Sequence, residues 1–149
     1  MQVRKILEIK GQALFTIAPN QTLADAVTTM TEHDVGSLVV FDAGHMVGML
    51  TFREVLKAVK RGGAAWGDQQ VSGIMVRDPV VSAPDVEVED LRRIMVTHHM
   101  RYLPVMDGGL LLGVISFHDV ARAVLDEQSF ENRMLKAYIH DLPAEANGG

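Results

Sequence analysis

Residues 48–54 read Gly-Met-Leu-Thr-Phe-Arg-Glu, and residues 113–119 read Gly-Val-Ile-Ser-Phe-His-Asp. The two stretches lie 65 positions apart, and the same shift aligns residues 16–59 with residues 81–124 without a gap. Fourteen of the 44 aligned pairs are identical. A solenoid of such units would need about three or more copies for stability. Two copies therefore predict two halves that pack about a pseudo-two-fold axis, with two related clefts between them.

Each copy has the pattern strand-helix-strand-strand-helix, which predicts an α+β fold. In the first copy these elements are a short strand at Thr16–Ile17, a helix that begins after Thr22, a hairpin over residues 37–50 and a closing helix from Thr51. The second copy repeats this order. Pro104 falls inside its hairpin, which predicts an edge position or irregular pairing there.

The remaining segments complete the predicted organisation. It consists of a first repeat over residues 3–62, a linker over 63–70, a second repeat over 71–126 and a C-terminal helix over 127–142. We expect short leading turns at Val3–Ile9 and Val71–Met75, before the two repeats. The linker contains the single tryptophan, Trp66, which is either a lid over a ligand or a plug on the apolar seam. The plug is favoured because aromatic burial usually serves packing.

The C-terminal helix has an apolar face, since Phe130, Met134 and Tyr138 recur every four residues. Such a face needs a partner surface. Packing on the chain's own core and contact with a second copy are both open at this point.

Composition limits the classes of function. The chain has 149 residues, 48% of them hydrophobic, which argues against disorder. Its net charge of −5 disfavours nucleic acid as a partner, and the lack of cysteine excludes disulfides and thiolate chemistry. No apolar run is long enough to span a bilayer, and the charged start does not read as a secretory signal. We expect a soluble, cytoplasmic globular protein.

The repeated motif carries the chemistry. Thr51-x-x-Glu54 has the pattern of a capping box, in which hydroxyl and carboxylate satisfy amides at a helix start. Ser116-x-x-Asp119 is a poorer box because aspartate is one carbon shorter. An aspartate in the first helical turn is well placed to hold vicinal hydroxyls, and the helix start attracts anions. These features together predict a nucleotide site.

Both copies resemble the cystathionine-β-synthase (CBS) domain, and the tandem of two CBS repeats resembles a Bateman module. The resemblance covers roughly residues 3–125. It rests on Val71-Ser-Gly-Ile-Met75, Met100-Arg-Tyr-Leu-Pro-Val-Met-Asp107, Gly113-Val-Ile-Ser-Phe-His-Asp119, Val35-Gly-Ser-Leu-Val-Val-Phe-Asp42 and Gly48-Met-Leu-Thr-Phe-Arg-Glu-Val55. It implies two clefts for an adenine nucleotide (AMP, ADP, ATP or NAD), with a regulatory output and no required cofactor.

The resemblance also implies roles for individual residues. Asp119 would hold the ribose hydroxyls, and Ser116 would contact ribose or phosphate. Thr51 and Glu54 occupy the same places in the other cleft, where glutamate replaces the usual aspartate and is a candidate for capping alone. Arg101 would lie near phosphate in one of the two clefts, with a solvated surface position as the alternative.

Further candidates surround this set. Backbone groups of Tyr102, Leu103 and Pro104, and of the segment that contains Met75, would frame the base. Arg53 and His118 could face phosphate, with surface exposure as an equal alternative. Thr16 completes the predicted ligand-binding residues.

A metal site and a hydrolase site are less favoured hypotheses. His98 and His99 are adjacent, so they point about 100° apart on a helix and rarely share one metal ion. Ser116, His118 and Asp119 lie too close in sequence to form a catalytic triad. The leading hypothesis is thus a non-enzymatic nucleotide sensor that forms a homodimer and acts on an unidentified effector protein. The alternative is a dimerisation or adaptor scaffold with vestigial clefts.

Overall fold

The computed structural model describes residues 1–11 and 14–140. Its helices and strands follow the order expected from the duplication, except that a helix is added at the start and the predicted leading strand of the second repeat is reduced to an isolated bridge at Ser82. In chain order they are α1 (Val3–Lys10), β1 (Thr16–Ile17), α2 (Leu23–His33), β2 (Ser37–Asp42), β3 (His45–Thr51), α3 (Phe52–Gly62), α4 (Val88–Thr97), β4 (Tyr102–Asp107), β5 (Leu110–Ser116) and α5 (Phe117–His140). Two 3-10 segments, Gly63–Asp68 and Val71–Gly73, connect α3 to the second repeat.

The two hairpins have the same register. In the first, Val40 pairs with Gly48, and in the second, Val105 pairs with Gly113, each pair 65 residues from its counterpart. In both hairpins the register shifts directly after the valine. The duplicated α+β architecture predicted from the sequence is therefore confirmed, and the shared register shift is a further likeness between the two hairpins.

The leading strand differs between the repeats. In the first repeat β1 runs parallel to β2, and the amide of Val39 donates to the carbonyl of Phe15 at 3.0 Å. Pro104 occupies the place of Val39 in the second repeat, so this donor is missing. Pairing there is reduced to a single bridge between Ser82 and Val105. Of the two alternatives predicted at Pro104, the edge position is confirmed: β4 belongs to a two-stranded sheet, and within the hairpin Pro104 pairs in register with Val114.

Each repeat has its own apolar core. The first core consists of Ile17, Leu23, Ala26, Met30, Leu38, Val40, Leu50, Val55, Ala58, Val71 and Met75. The second consists of Val3, Ile6, Val88, Leu91, Met95, Leu103, Val105, Ile115, Val120 and Ala123. The segment that leads into each repeat thus packs into the core of the other repeat, which joins the two halves.

Hydrogen bonds also hold each lead-in segment on the other repeat, so the two repeats exchange these segments. The amide of Val3 donates to the carbonyl of Val86, and the amide of Val71 donates to the carbonyl of Gln21, both at 2.9 Å. The acceptors are 65 residues apart and the donors 68. The lead-in segments therefore correspond at a shift of 68, three more than the rest of the repeat.

The first lead-in is a helix, so the prediction of a short turn at Val3–Ile9 is wrong. α1 has eight residues and buries Val3 and Ile6, one turn apart, against the second core. Gly48 and Gly113, at matching positions in the two repeats, make room for these lead-in segments. A Cβ on Gly48 would lie 2.7 Å from the carbonyl oxygen of Val76, and one on Gly113 would lie 2.9 Å from Leu7. Each glycine lets the other repeat's lead-in approach its hairpin.

Trp66 packs against the first core, in agreement with the plug rather than the lid. Its segment folds as a 3-10 helix instead of an open linker, and Gln69 ties it down by donating to the carbonyls of Ala58 and Trp66, both at 3.0 Å.

The closing helix of the second repeat and the predicted C-terminal helix form one element, α5, which runs without a break to His140. Residues 141 and 142 of the predicted helix lie outside the described residues. Beyond Val124, which still packs against the second core, the large apolar side chains of α5 are exposed: Phe130, Met134 and Tyr138 are 57%, 58% and 66% exposed. In the described residues no helix is long and apolar enough to cross a membrane.

Candidate functional site: two related clefts of unequal size

Two clefts occupy equivalent places in the two halves. The large cleft, about 860 Å³, includes Thr51, Arg53, Met100 and Arg101 in its lining. The small cleft, about 310 Å³, includes their counterparts at the 65-residue shift, which are Ser116, His118, Val35 and Gly36. The pair of related clefts expected from the duplication is present, and each combines a helix start with a loop from the other repeat.

The start of α3 lies at the large cleft and is closed by a capping box. Thr51 Oγ1 accepts from the amide of Arg53 at 3.3 Å. Glu54 Oε1 in turn accepts from the amide of Thr51 at 3.1 Å and from its hydroxyl at 2.9 Å. Glu54 therefore acts as a cap in this structure, as the sequence pattern indicated.

Cations converge on the same cleft. Arg53 and Lys57 extend from α3, and Arg101 enters from the second repeat. Arg101 thus lies with Thr51 rather than with Ser116, which answers a question that the sequence left open. Glu54 and Asp78 are the carboxylates in the lining, so the cations outnumber them.

Aromatic rings hold Arg101 at this wall. Its guanidinium carbon lies 5.2 Å from the centroid of the Phe52 ring, within the range of a cation–π contact. The Phe52 ring meets the Tyr102 ring edge-on, with centroids 6.3 Å apart. The amide of Phe117 donates to the carbonyl of Arg101 at 2.7 Å, which fixes the backbone of the loop.

A second capping box lies at the start of α5, where Ser116 lines the small cleft and Asp119 sits behind it, outside the lining. Asp119 Oδ2 accepts from the amide of Ser116 at 2.9 Å, and the amide of Asp119 donates to Ser116 Oγ at 3.1 Å. The shorter aspartate therefore closes the box as fully as glutamate does, contrary to the expectation of a poorer cap.

Asp119 also has a cationic partner from α1. Lys10 Nζ lies 2.8 Å from Asp119 Oδ2 and 2.9 Å from the carbonyl oxygen of Val114. Partial burial raises the pKa of Asp119, but the hydrogen bonds from Lys10 and Ser116 outweigh it, and the net pKa is lowered. Asp119 is therefore held as a carboxylate in contact with an ammonium group.

Two aromatic residues line the small cleft, and one of them also lines the large cleft. Phe15 occupies the place that Val80 has in the large cleft, and its ring stacks on His33 with centroids 4.5 Å apart. Tyr102 lines both clefts, and its hydroxyl lies directly against Gly36, where any Cβ would overlap it.

The other predicted site residues are distributed unevenly. His118 lines the small cleft, and Tyr102 lines both. Leu103 and Pro104 are buried in β4, and the Pro104 carbonyl already accepts from the amide of Ser82 at 2.9 Å. Met75 belongs to the first core. Thr16 is exposed on β1, outside the two clefts.

The sequence reasoning missed several lining residues. Lys57, Asp78, His98 and His99 line the large cleft, and Lys10 lines the small one. The position of Lys57 one turn after Arg53 on the closing helix could have indicated it. Lys10 gave no such signal, because the repeat shift changes before residue 16.

Among the described residues, no three His, Asp or Glu side chains form a group that could hold a metal ion.

Comparison with known proteins agrees with the fold and the duplication. Residues 8–61 and 71–126 each match the family model of the CBS domain. The CBS domain-containing protein YhcV of Bacillus subtilis is 32% identical over 114 residues, which are 76% of this chain and 81% of YhcV. The chain therefore belongs to the CBS-domain family and is a pair of CBS domains.

Solved structures show the same architecture. A CBS-domain-containing protein from Agrobacterium tumefaciens has a TM-score of 0.79 and 35% identity, covering 83% of this chain and 98% of that one. The CBS domain pair of protein MJ0100, solved with 5-methylthioadenosine and S-adenosyl-L-methionine, has a TM-score of 0.74 and covers 85% of this chain and 98% of that one. Its identity is 21%, so this likeness concerns the fold alone.

Proposed function

We propose that the chain is a non-catalytic regulatory module of the cytoplasm that binds an adenine nucleotide (AMP, ADP, ATP or NAD) in the large cleft. The observation that carries this proposal is the convergence of Arg53, Lys57 and Arg101 on a helix start inside a cavity of about 860 Å³. The ligand serves as a signal, so no resident cofactor is required.

The electrostatics of the large cleft favour a phosphorylated ligand. The chain as a whole carries a net charge of −5, yet cations predominate in this lining. The first amides of α3 are paired within the chain, so the helix contributes through its dipole, whose positive end faces this cleft. A local cationic cavity in an acidic protein concentrates anionic ligands at one place.

The rest of the lining suits a nucleoside. Met49, Val76, Pro79, Val80 and Met100 supply apolar surface. The volume lies within the range of roughly 300–1,000 Å³ that small-molecule sites usually have. The complex of MJ0100 with 5-methylthioadenosine and S-adenosyl-L-methionine supports the view that this fold accommodates adenosine compounds.

Regulation would follow from a difference in affinity. A ligand shifts a protein between two arrangements only to the extent that it binds one of them more tightly. The large cleft joins α3 of the first repeat to the loop of the second that carries Arg101. A nucleotide that contacts both sides would favour one packing of the two repeats. An effector protein would bind that packing in preference to the other.

Isothermal titration calorimetry tests the proposal. The wild-type protein is titrated with AMP, ADP, ATP and NAD, and Arg101→Ala is compared with Arg93→Ala, an exposed arginine on α4. We expect binding of at least one nucleotide, a loss of roughly tenfold in affinity in Arg101→Ala, and no change in Arg93→Ala. If none of the four nucleotides binds the wild-type protein, the sensor proposal is wrong.

The second candidate function is a dimerisation or adaptor scaffold with vestigial clefts. The exposed apolar side chains of α5 favour an interaction role for that helix. We propose that they form a homodimer contact, which is compatible with either function. Binding of a nucleotide would favour the sensor, and dimerisation without binding would favour the scaffold.

A further inference from the structure

The small cleft is occupied by a cation of the chain itself. Lys10 Nζ contacts the carboxylate of Asp119 at 2.8 Å and the carbonyl of Val114 at 2.9 Å. These are the charged acceptor at the start of α5 and a backbone acceptor in the cleft wall. A ligand that takes both carboxylate oxygens of Asp119, as a pair of ribose hydroxyls would, competes with the ammonium for Oδ2.

The large cleft has no equivalent obstruction. The lead-in segments correspond at a shift of 68, so the counterpart of Lys10 is Asp78, which also lines its cleft but is a carboxylate. The counterpart of Val114 is Met49, and its carbonyl accepts from the amide of Val76 at 2.8 Å instead of from a side chain. The carbonyl at this position of the wall therefore accepts a hydrogen bond in both clefts. The donor is a backbone amide in the large cleft and a lysine side chain in the small one.

The ammonium is held in place by the fold. α1 is anchored by Val3 and Ile6, which are buried in the second core, and by Leu7 against Gly113. Lys10 is the last residue of this helix, so its Cα is fixed beside the cleft. The remaining space is narrowed further by Phe15 and Tyr102.

We propose that Lys10 closes the small cleft to nucleotides, so that each chain binds a single nucleotide, in the large cleft. This inference rests on the proposed function and adds the stoichiometry and the residue that sets it. Lys10 is a specificity-determining residue in this account, since it decides which of the two clefts is available.

Removal of the ammonium tests the inference. Lys10→Met keeps an unbranched apolar side chain one atom shorter than lysine but leaves Asp119 and the Val114 carbonyl without their cation. The control is Lys5→Met on the same helix, because Lys5 is exposed and pairs only loosely with Glu8 at 3.7 Å. Each variant is titrated calorimetrically with AMP, ADP, ATP and NAD. Lys10→Gln takes the place of Lys10→Met if melting curves show that the methionine variant does not fold.

We expect one bound nucleotide per chain in the wild type and in Lys5→Met, and two in Lys10→Met. The second event should disappear in the double variant Lys10→Met/Asp119→Asn. Two binding events in the wild type, or a single event in whichever Lys10 variant folds, would overturn the inference while leaving the sensor proposal intact. Absence of binding in the wild type and in every variant would instead overturn both.

Discussion

The guanidinium of Arg101, from the second repeat, stacks on the ring of Phe52, from the first, at 5.2 Å from the ring centroid. Phe52 is the first residue of α3, directly after the Thr51 cap. The contact therefore ties the helix start of one repeat to the loop of the other at the wall of the large cleft.

This contact predicts an energetic coupling between the two residues. Cation–π contacts at exposed sites contribute about 0.5–1 kcal/mol. A double-mutant cycle with Phe52→Leu, Arg101→Met and the double variant should give a coupling of that size in the free energy of unfolding in urea. Strict additivity of the two single effects would show that the stacking does not stabilise the fold.

A side chain at position 36 should destabilise the fold through a steric clash. A Cβ at this position would overlap the Tyr102 hydroxyl, and the backbone of Gly36 is not in the left-handed region, so the clash is the main effect of a side chain. Gly36→Ala should lower the free energy of unfolding by about 1–3 kcal/mol. Gly73→Ala is the matched control, since nothing lies within 4 Å of its added Cβ.

Tyr102→Phe should restore part of this loss, because it removes the hydroxyl that the new methyl group meets. Urea denaturation of Gly36→Ala/Tyr102→Phe measures the recovery. A double variant no more stable than Gly36→Ala would indicate that the Tyr102 hydroxyl is not the group that excludes a side chain at position 36.

Asp119 predicts a pH dependence. Its pKa in the folded protein is lowered by the hydrogen bonds from Lys10 and Ser116, in spite of burial. A depressed carboxyl pKa stabilises the fold above the unfolded value of about 3.9, and this contribution disappears as the pH falls through the folded pKa. The stability advantage of the wild type over Asp119→Asn should therefore be present at pH 7 and shrink below about pH 4. Urea unfolding at several pH values measures it, and an advantage that is independent of pH would contradict the ion pair.

The exposed face of α5 predicts dimerisation. Met134→Glu places a charge among apolar side chains that this chain leaves exposed, so it should convert a dimer into a monomer. Lys136→Gln on the same helix makes the same change in net charge without touching the apolar residues. Analytical ultracentrifugation distinguishes the two states. A monomeric wild type, or a Met134→Glu variant that stays dimeric, would count against α5 as the interface.

Much of the fold could be predicted because the duplication repeats local signals. Apolar runs around glycine-containing turns predicted both hairpins, and Pro104 predicted the edge position of β4, because a missing amide is visible in the sequence. The capping boxes were visible for the same reason, although the reach of the shorter Asp119 depended on backbone geometry at the helix start.

Which residues come together at each cleft could not be predicted in the same way. The exchange of lead-in segments is a matter of tertiary packing, and the constant shift of 65 fails before residue 16. The pairing of Lys10 with Asp119 joins residues 109 positions apart. Likewise, the assignment of Arg101 to the large cleft depends on how the halves face each other.

The most direct test of the central claim is a titration of the ¹⁵N-labelled protein with ATP, ADP, AMP and NAD, followed by two-dimensional NMR of the backbone amides. The account predicts saturable shifts with at least one nucleotide at Thr51, Arg53 and residues 98–102, and little change at Ser116 and His118. Shifts confined to Ser116 and His118, or no shifts with any of the four ligands, would contradict nucleotide binding in the large cleft.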